Sequence, residues 1–238
     1  MMKDFTVYYS FKLPDGSEEG FHLRLDPETL ELRGGTPAVS PEWTKLDFHQ
    51  CPNCPLKVEE HPDCPLALRL VNLVQRFDGL LSHERVDMEV VTEERTITQK
   101  TTAQRGISSL MGLVIAASGC PHTAVFRPMA RFHLPLASNE ETVYRATAMY
   151  LLAQYFLKKE GAPSDPGLDG LSRIYENIQI INVAIAERLR AATTTDSSVN
   201  AIVVLDVYAK TAELVIGGSL ERIRYIFAPY FQNPLTGP

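Results

Sequence analysis

The first part of the chain alternates between apolar and polar positions. Apolar residues occupy every second position from Phe5 to Leu13 and from Phe21 to Leu25, and Pro14-Asp15-Gly16-Ser17 separates the two runs. A period of two predicts β-strands, and the turn residues between the runs predict a hairpin. A short strand at Leu30-Glu31-Leu32 is predicted to complete a three-stranded meander. The chain is therefore expected to begin with a small antiparallel sheet.

The middle of the chain combines two further strand patterns with two helical patterns. Residues 86–91 alternate in polarity, and residues 95–101 are rich in threonine, which favours β-strands. Apolar residues at helical spacing predict one helix that starts at Pro65 and another from Ala103 to about Ser118. Gly119 is predicted to end the second helix.

The second half of the sequence is predicted to be almost wholly helical. Ser138 and Glu141 have the spacing of a capping box, for a helix that runs to Lys159. A longer helix carries an apolar stripe in alternating steps of three and four residues, which is typical of bundles and dimers. The stripe consists of Leu171, Ile174, Ile178, Ile181 and Ile185. A last long helix is predicted to break at Gly217-Gly218, before a short amphipathic helix.

These elements predict an α+β protein with a small N-terminal antiparallel sheet, a cysteine-rich loop and a C-terminal helical bundle. We divide the chain into residues 1–135, which include the sheet and the loop at residues 47–64, and residues 136–238, which form the bundle. The two regions are predicted to pack as one unit. The helical half is the expected surface for a protein partner or for a homodimer.

The composition is that of an ordinary folded protein. Hydrophobic residues make up 45% and charged residues 22% of the 238 positions, which argues against a disordered chain or a coiled-coil rod. With 23 basic and 29 acidic residues, the net charge of −6 lacks the positive surface used for nucleic-acid binding. The N-terminus shows no signal-peptide pattern, and the longest apolar stretches fall short of the ~20 residues that cross a bilayer. We therefore expect a cytoplasmic protein that binds neither nucleic acid nor membranes.

All four cysteines are followed directly by proline, at Cys51, Cys54, Cys64 and Cys120. With 16 prolines in 238 residues, four such pairs are not expected by chance. Cys51 and Cys54 have the spacing that supplies two metal ligands from one tight turn, and proline holds each preceding cysteine in an extended conformation. In a reducing cytoplasm such thiols act as metal ligands rather than forming disulfides. The pattern predicts that zinc on these four cysteines fixes the loop to the end of the helix before Cys120.

Other interpretations of the cysteines remain open. Cys-Pro also ends a cluster-binding motif of bacterial ferredoxins, so an iron–sulfur cluster in a redox or sensory protein is the main alternative. Free cysteines also occur as small buried hydrophobic residues, and Cys120 is linked to the others only through its proline. His49, His61 or His122 could replace Cys120 as the fourth ligand, or hydrogen-bond to a sulfur.

A loop at residues 127–135 follows the last cysteine and contains Arg127, Arg131 and His133. Together with His122 these side chains could bind a phosphate or carboxylate near the metal. A third hypothesis is therefore a metal-dependent enzyme, with Cys51, Cys54 and Cys64 as ligands and an open coordination position. The alternative is that the arginines pair with acids such as Glu140 or Glu141, while Phe126, Met129 and Phe132 fill a core. Local signatures of nucleotide-binding proteins, α/β-hydrolases and zincins are missing, which favours a non-enzymatic role.

The sequence also resembles a family of uncharacterised bacterial proteins, a domain of unknown function, over nearly its whole length. The segments that carry the resemblance include Cys51-Pro52-Asn53-Cys54-Pro55-Leu56, Asp63-Cys64-Pro65-Leu66 and Gly119-Cys120-Pro121-His122. The resemblance implies a bacterial cytoplasmic protein. It implies no activity and no catalytic residues.

Overall fold

A computed structural model describes residues 3–232, except for the side chains of Tyr208 and residues 210–219. Within this range the chain forms four β-strands and seven α-helices. The strands are β1 (Phe5–Lys12), β2 (Glu18–Leu25), β3 (Arg85–Val91) and β4 (Thr96–Thr102). The helices are α1 (Pro65–Phe77), α2 (Ala103–Ala116), α3 (Arg127–Arg131), α4 (Asn139–Lys159), α5 (Asp169–Ala192), α6 (Ser197–Ile223) and α7 (Ala228–Gln232). The predicted α+β class with an N-terminal antiparallel sheet is confirmed.

The four strands form one antiparallel sheet in the order β2-β1-β3-β4. The alternation of β1 places Val7, Tyr9 and Phe11 on a fully buried face, with polar residues between them. The β1–β2 hairpin turns at Gly16, whose φ of 86° is a conformation that glycine adopts without strain. The predicted hairpin is confirmed, and α1 and α2 contribute to the same hydrophobic core as the sheet.

The predicted third strand of the meander is wrong. Residues 30–32 make only an isolated bridge, between Leu25 and Leu32, and β3 pairs with the free edge of β1 instead. The reason lies in the local turn and in a distant partner. Asp26 accepts hydrogen bonds from two backbone amides of the turn, and the amide of Leu32 donates to the carbonyl of Ala117 at the end of α2. The segment therefore bonds to the end of β2 at one bridge only, and also to the end of a helix, instead of continuing as a full strand.

The apolar stripe of α5 is used within this chain. Leu171, Ile181 and Ile185 are buried, while Ile174 and Ile178 pack against the same hydrophobic clusters. α5 packs against α6, which also contacts α2 and α4. The stripe is therefore part of the core of this chain, which agrees with the bundle packing that its spacing is typical of.

The helical half also differs from the prediction at two points. Residues 127–131, predicted as loop, form the short helix α3. The backbone of α6 remains helical through Gly217-Gly218, where a break was predicted. Glycine lowers helix stability by about 1 kcal/mol per residue, and the packing of a long helix against several neighbours can outweigh this.

Sheet and helices share one hydrophobic cluster, which includes Phe11 of β1, Leu110 of α2 and Leu189 of α5. The boundary predicted between residues 135 and 136 stays a prediction, and residues 233–238 of the second region lie outside the described residues. In the described part of the chain, no helix combines the length and the apolar character needed to cross a membrane.

The hydroxyl group of Tyr9 in the sheet is hydrogen-bonded to α2 and to the segment that follows α3, in a buried group of three side chains. The hydroxyl of Tyr9 lies 3.0 Å from Ser109 Oγ on α2 and also bonds to His133 Nε2. Burial raises the pKa of Tyr9 far above its usual range. Burial, together with the positive charge of Arg145, lowers the pKa of His133 to about 3. His133 is therefore neutral in the folded protein at neutral pH.

This neutral histidine predicts an acid-dependent loss of stability. Between pH 6.5 and about 3 the unfolded chain binds a proton at His133 that the folded chain does not, so the free energy of unfolding falls as the pH is lowered. The contribution reaches about 1.4 kcal/mol per pH unit. We expect His133→Gln to remove this slope, measured by urea unfolding across that range. His61→Gln, an exposed control, should keep it; equal slopes in all three proteins would contradict the prediction.

Candidate functional site

The first two cysteines lie on a tight turn that docks against α5. The amide of Cys54 donates to the carbonyl of Cys51 at 2.9 Å, which closes the turn between the two thiols. Asn53, between them, donates its side-chain amide to Asn177 Oδ1 of α5 at 2.7 Å. The turn therefore has a fixed position relative to the helical half.

Cys64 lies at the start of α1, as predicted. It is the N-cap residue in an extended conformation, with Pro65 at the first helical position. Its side chain makes no capping hydrogen bond, so the sulfur is not used to satisfy the helix. The amide of Cys64 donates to the carbonyl of Thr44 at 2.7 Å, which joins the end of the loop to its beginning.

Cys120 follows the end of α2 and lies beside both of the other segments. The preceding Gly119 has a φ of 92°, and a β-carbon placed there would lie 3.8 Å from Cβ of Pro65. His122 Nε2 lies 2.7 Å from the carbonyl oxygen of Asn53, within hydrogen-bonding distance. The Cys120 segment is thus in contact with the start of α1 and with the turn that carries Cys51 and Cys54.

The four thiols are free, partly buried and close enough to influence one another electrostatically. Burial raises the pKa of Cys51 to about 12, and the negative charges of Cys64, Cys120 and Cys54 add to the rise. Burial also raises the pKa of Cys120, with a further contribution from Cys64. A nearby positive charge would therefore favour the loss of a proton from Cys51 or Cys120.

Arg188 of α5 supplies positive charge inside this region. Its side chain is 1% exposed, and its guanidinium donates to the backbone carbonyls of Trp43, Lys45 and Leu46 at 2.7–3.0 Å. Among the described residues it pairs with no carboxylate, and its Nε has no hydrogen-bond partner. Its charge lowers the pKa of Cys51, which partly offsets the effect of burial.

The sequence prediction missed Arg188, although the pattern contains a signal for it. The apolar stripe of α5 ends at Ile185, and the next step of three along the same face is Arg188. A charged residue that continues a buried stripe must find polar partners in the core. Its partners are carbonyl groups more than 140 positions away, which sequence periodicity does not reveal.

The expected metal tether of the loop is not supported by the arrangement of the side chains. Within residues 3–232, no group of three or more His, Cys, Asp or Glu residues is arranged to hold a metal ion. The loop is instead fastened by protein contacts, which include the bonds of Arg188 and an ion pair of 3.1 Å between Lys45 and Asp63. The donor set itself, four thiols from three adjoining segments, has the chemistry that soft metals require.

The other predicted site residues separate into two groups. His122 lies against the cysteine turn, whereas Arg127, Arg131 and His133 have partners elsewhere. Arg127 pairs with Glu31. Arg131 lies 3.4 Å from Glu94 and 4.3 Å above the ring of Phe5, and His133 bonds to Tyr9. His49 and His61 are exposed.

Arg127 and Arg131 form ion pairs, as expected. Their partners are Glu31 and Glu94, and not Glu140 or Glu141. Glu141 closes the capping box of α4 with Ser138, which is itself a confirmed prediction. Phe126 and Met129 pack against a hydrophobic cluster as expected. Phe132, also expected to fill a core, is 72% exposed. Residues 127–133 therefore join the sheet to the helices and do not adjoin the cysteines through any described contact.

Comparison with known proteins gives a family without an assigned activity. No curated protein and no solved structure matches the chain significantly. A family model described as a domain of unknown function (DUF6901) matches residues 7–228, which include all four cysteines and nearly all of the sheet and of the helical half. This match agrees with the expected resemblance to an uncharacterised family, and the chain belongs to the DUF6901 family.

Proposed function

We propose that the protein is a non-enzymatic metal-binding protein, in which zinc on Cys51, Cys54, Cys64 and Cys120 braces the loop at residues 47–64. The observation that supports this most directly is the meeting of three chain segments, each carrying cysteine, at one corner of the core. Movements of the side chains would be needed to form the site, because the thiols are not arranged as ligands among the described residues.

The buried charge of Arg188 fits this proposal. A zinc ion with four thiolates carries a net charge of about −2, which is costly to bury without nearby positive charge. Arg188 lies near Cys51, has no carboxylate partner among the described residues, and bonds directly to residues 43–46, which lead into the loop. Its guanidinium is therefore well placed to compensate a metal–thiolate centre.

A structural role is favoured over a catalytic one. Four cysteine ligands would leave no open position on the metal for substrate. The residues proposed to bind substrate in the enzymatic alternative, Arg131 and His133, are engaged with Glu94 and Tyr9. A bacterial cytoplasm, where thiols remain reduced, is the proposed compartment.

The helical half is proposed to carry the partner-binding surface. Exposed apolar side chains line α4 and continue onto the C-terminal end, where the rings of Tyr144 and Phe227 lie 6.4 Å apart. They include Leu152, Tyr155, Phe156, Tyr225 and Tyr230. Contiguous apolar patches of this kind mark interaction sites, here for a protein partner or a second copy of the chain.

The metal proposal predicts about one zinc ion per chain in colourless protein purified without oxygen or chelators. Elemental analysis and a visible spectrum measure this, and Cys120→Ser should reduce the zinc content strongly because it removes one of four ligands. Ser164→Ala, at an exposed position far along the sequence from all four cysteines, is the matched control and should keep its zinc. Brown protein that contains iron and sulfide would favour the cluster alternative, and metal-free wild type would contradict both.

A second prediction concerns Arg188. Replacement by methionine leaves three carbonyl groups without their donor, so we expect the free energy of unfolding to fall by about 3 kcal/mol. The loss should be larger for zinc-loaded protein than for protein treated with a chelator, since only the former has a buried anion to compensate. Denaturant unfolding of both forms measures the difference.

The control for this experiment is Arg190→Met, since Arg190 lies on the same helix and its side chain is 52% exposed. We expect a change within about 0.5 kcal/mol for this variant, with or without zinc. An equal loss for Arg188→Met in the two forms would show that Arg188 supports the loop alone and does not compensate a metal centre.

The surface proposal predicts concentration-dependent self-association or capture of a partner through α4. Leu152→Glu with Phe156→Glu should abolish it, because two charges would be placed in the apolar patch. Sedimentation velocity over a range of concentrations measures the effect for a homodimer. Val39→Glu, at a position that is 81% exposed and about 100 residues before α4 in the sequence, should leave association unchanged.

A further inference from the structure

A cavity of about 200 Å³ lies among the helices, lined mainly by residues of α2, α4, α5 and α6 and of the segment around α3. No cysteine is among its described lining residues, so it is a separate site from the proposed metal centre. Ligand sites are typically concave and apolar with a few converging polar groups, and this cavity has that composition.

The walls are largely apolar. They include Leu113, Ile115, Phe126, Met129, Ile178 and Leu205. Gly112 contributes to the open space, because it has no side chain and the nearest side-chain atom to a β-carbon there would be Leu205 Cδ2, at 3.7 Å. An apolar body of moderate size therefore suits the interior; for comparison, an engineered cavity of about 150 Å³ in another protein holds benzene.

Asn182 of α5 provides a buried donor without a partner. Its side chain is 4% exposed and lines the cavity, and its Nδ2 has no hydrogen-bond partner. An amide donor left unpaired in the core is unfavourable, so a specific explanation is needed for its presence there. A ligand that offers an acceptor oxygen would satisfy this group.

Arg145 of α4 provides positive charge at the same cavity. One of its terminal nitrogens, Nη2, donates to the carbonyls of Met129 and Phe132, at 3.1 and 2.7 Å. No described carboxylate lies within ion-pair distance of Arg145. Glu141 on the same helix interacts with it electrostatically, but the carboxylate of Glu141 is bonded to the backbone of Ser138 in the capping box. The hydroxyl group of Tyr175, another lining residue, adds a further potential donor.

We propose that this cavity binds a small monocarboxylate with an apolar body of roughly six to ten non-hydrogen atoms. The carboxylate accepts hydrogen bonds from Arg145 and Asn182, and the apolar part contacts the surrounding helices. A carboxylate fits better than a polyphosphate, because the walls are mostly apolar and the lining contains few cationic groups. This inference does not depend on the metal proposal.

The test uses hexanoate as the probe and hexanamide as its uncharged counterpart. Isothermal titration calorimetry with the full chain should show hexanoate binding about tenfold more tightly, since only hexanoate pairs with the arginine through charge-assisted hydrogen bonds. Arg145→Gln should remove this preference, and Asn182→Leu should weaken hexanoate binding at least about tenfold. Arg173→Gln, on α5 outside the cavity lining, is the matched control and should bind as wild type does.

A measurement on the unmodified protein tests the proposal even if the variants fail to fold. In two-dimensional NMR spectra, the side-chain amide signals of Asn182 should shift on titration with hexanoate, while those of Asn72 on α1 stay in place. Absence of hexanoate binding to the wild type would overturn the proposal. So would folded variants, verified by circular dichroism, that bind hexanoate as tightly as wild type.

Discussion

Arg188 carries a positive charge into the interior, and much of the loop architecture depends on how that charge is satisfied. Three carbonyl groups between Trp43 and Leu46 accept its hydrogen bonds, so the start of the cysteine loop is bound directly to α5. Backbone carbonyls satisfy the donors of a guanidinium but do not neutralise its charge. The neighbouring thiols are the groups that can become anionic, and this links the packing of the loop to the chemistry of the cysteines.

The local elements could be predicted from the sequence because their determinants are local. The alternation of β1 and the capping box of α4 each depend on residues a few positions apart, and both are found as expected. Contacts between segments that are distant in the sequence could not be predicted in this way. The amide of Leu32 bonds to Ala117, and Arg131 pairs with Glu94, 37 positions away. Neither partner leaves a periodic pattern in the sequence.

In the candidate site, too, the local features could be predicted and the contacts between distant segments could not. The conformation of Cys64 as a helix cap follows from the adjoining Pro65, and the spacing of Cys51 and Cys54 predicts their turn. That the Cys120 segment lies beside both depends on the packing of α2 against the core, which is not a local property. Arg188 was overlooked because an arginine in the core is unusual unless it is paired, and its partners are backbone groups that any sequence would provide.

The hydrogen bond between Asn53 and Asn177 has a mechanical consequence. Asn177 touches the cysteine turn, while the next residue of the same helix, Ile178, lines the helical cavity. Two adjacent residues of α5 therefore contact the cysteine turn and the cavity. A shift of α5 along its axis would change both the shape of the cavity and the position of the cysteine turn, whether the shift is caused at the cavity or at the turn.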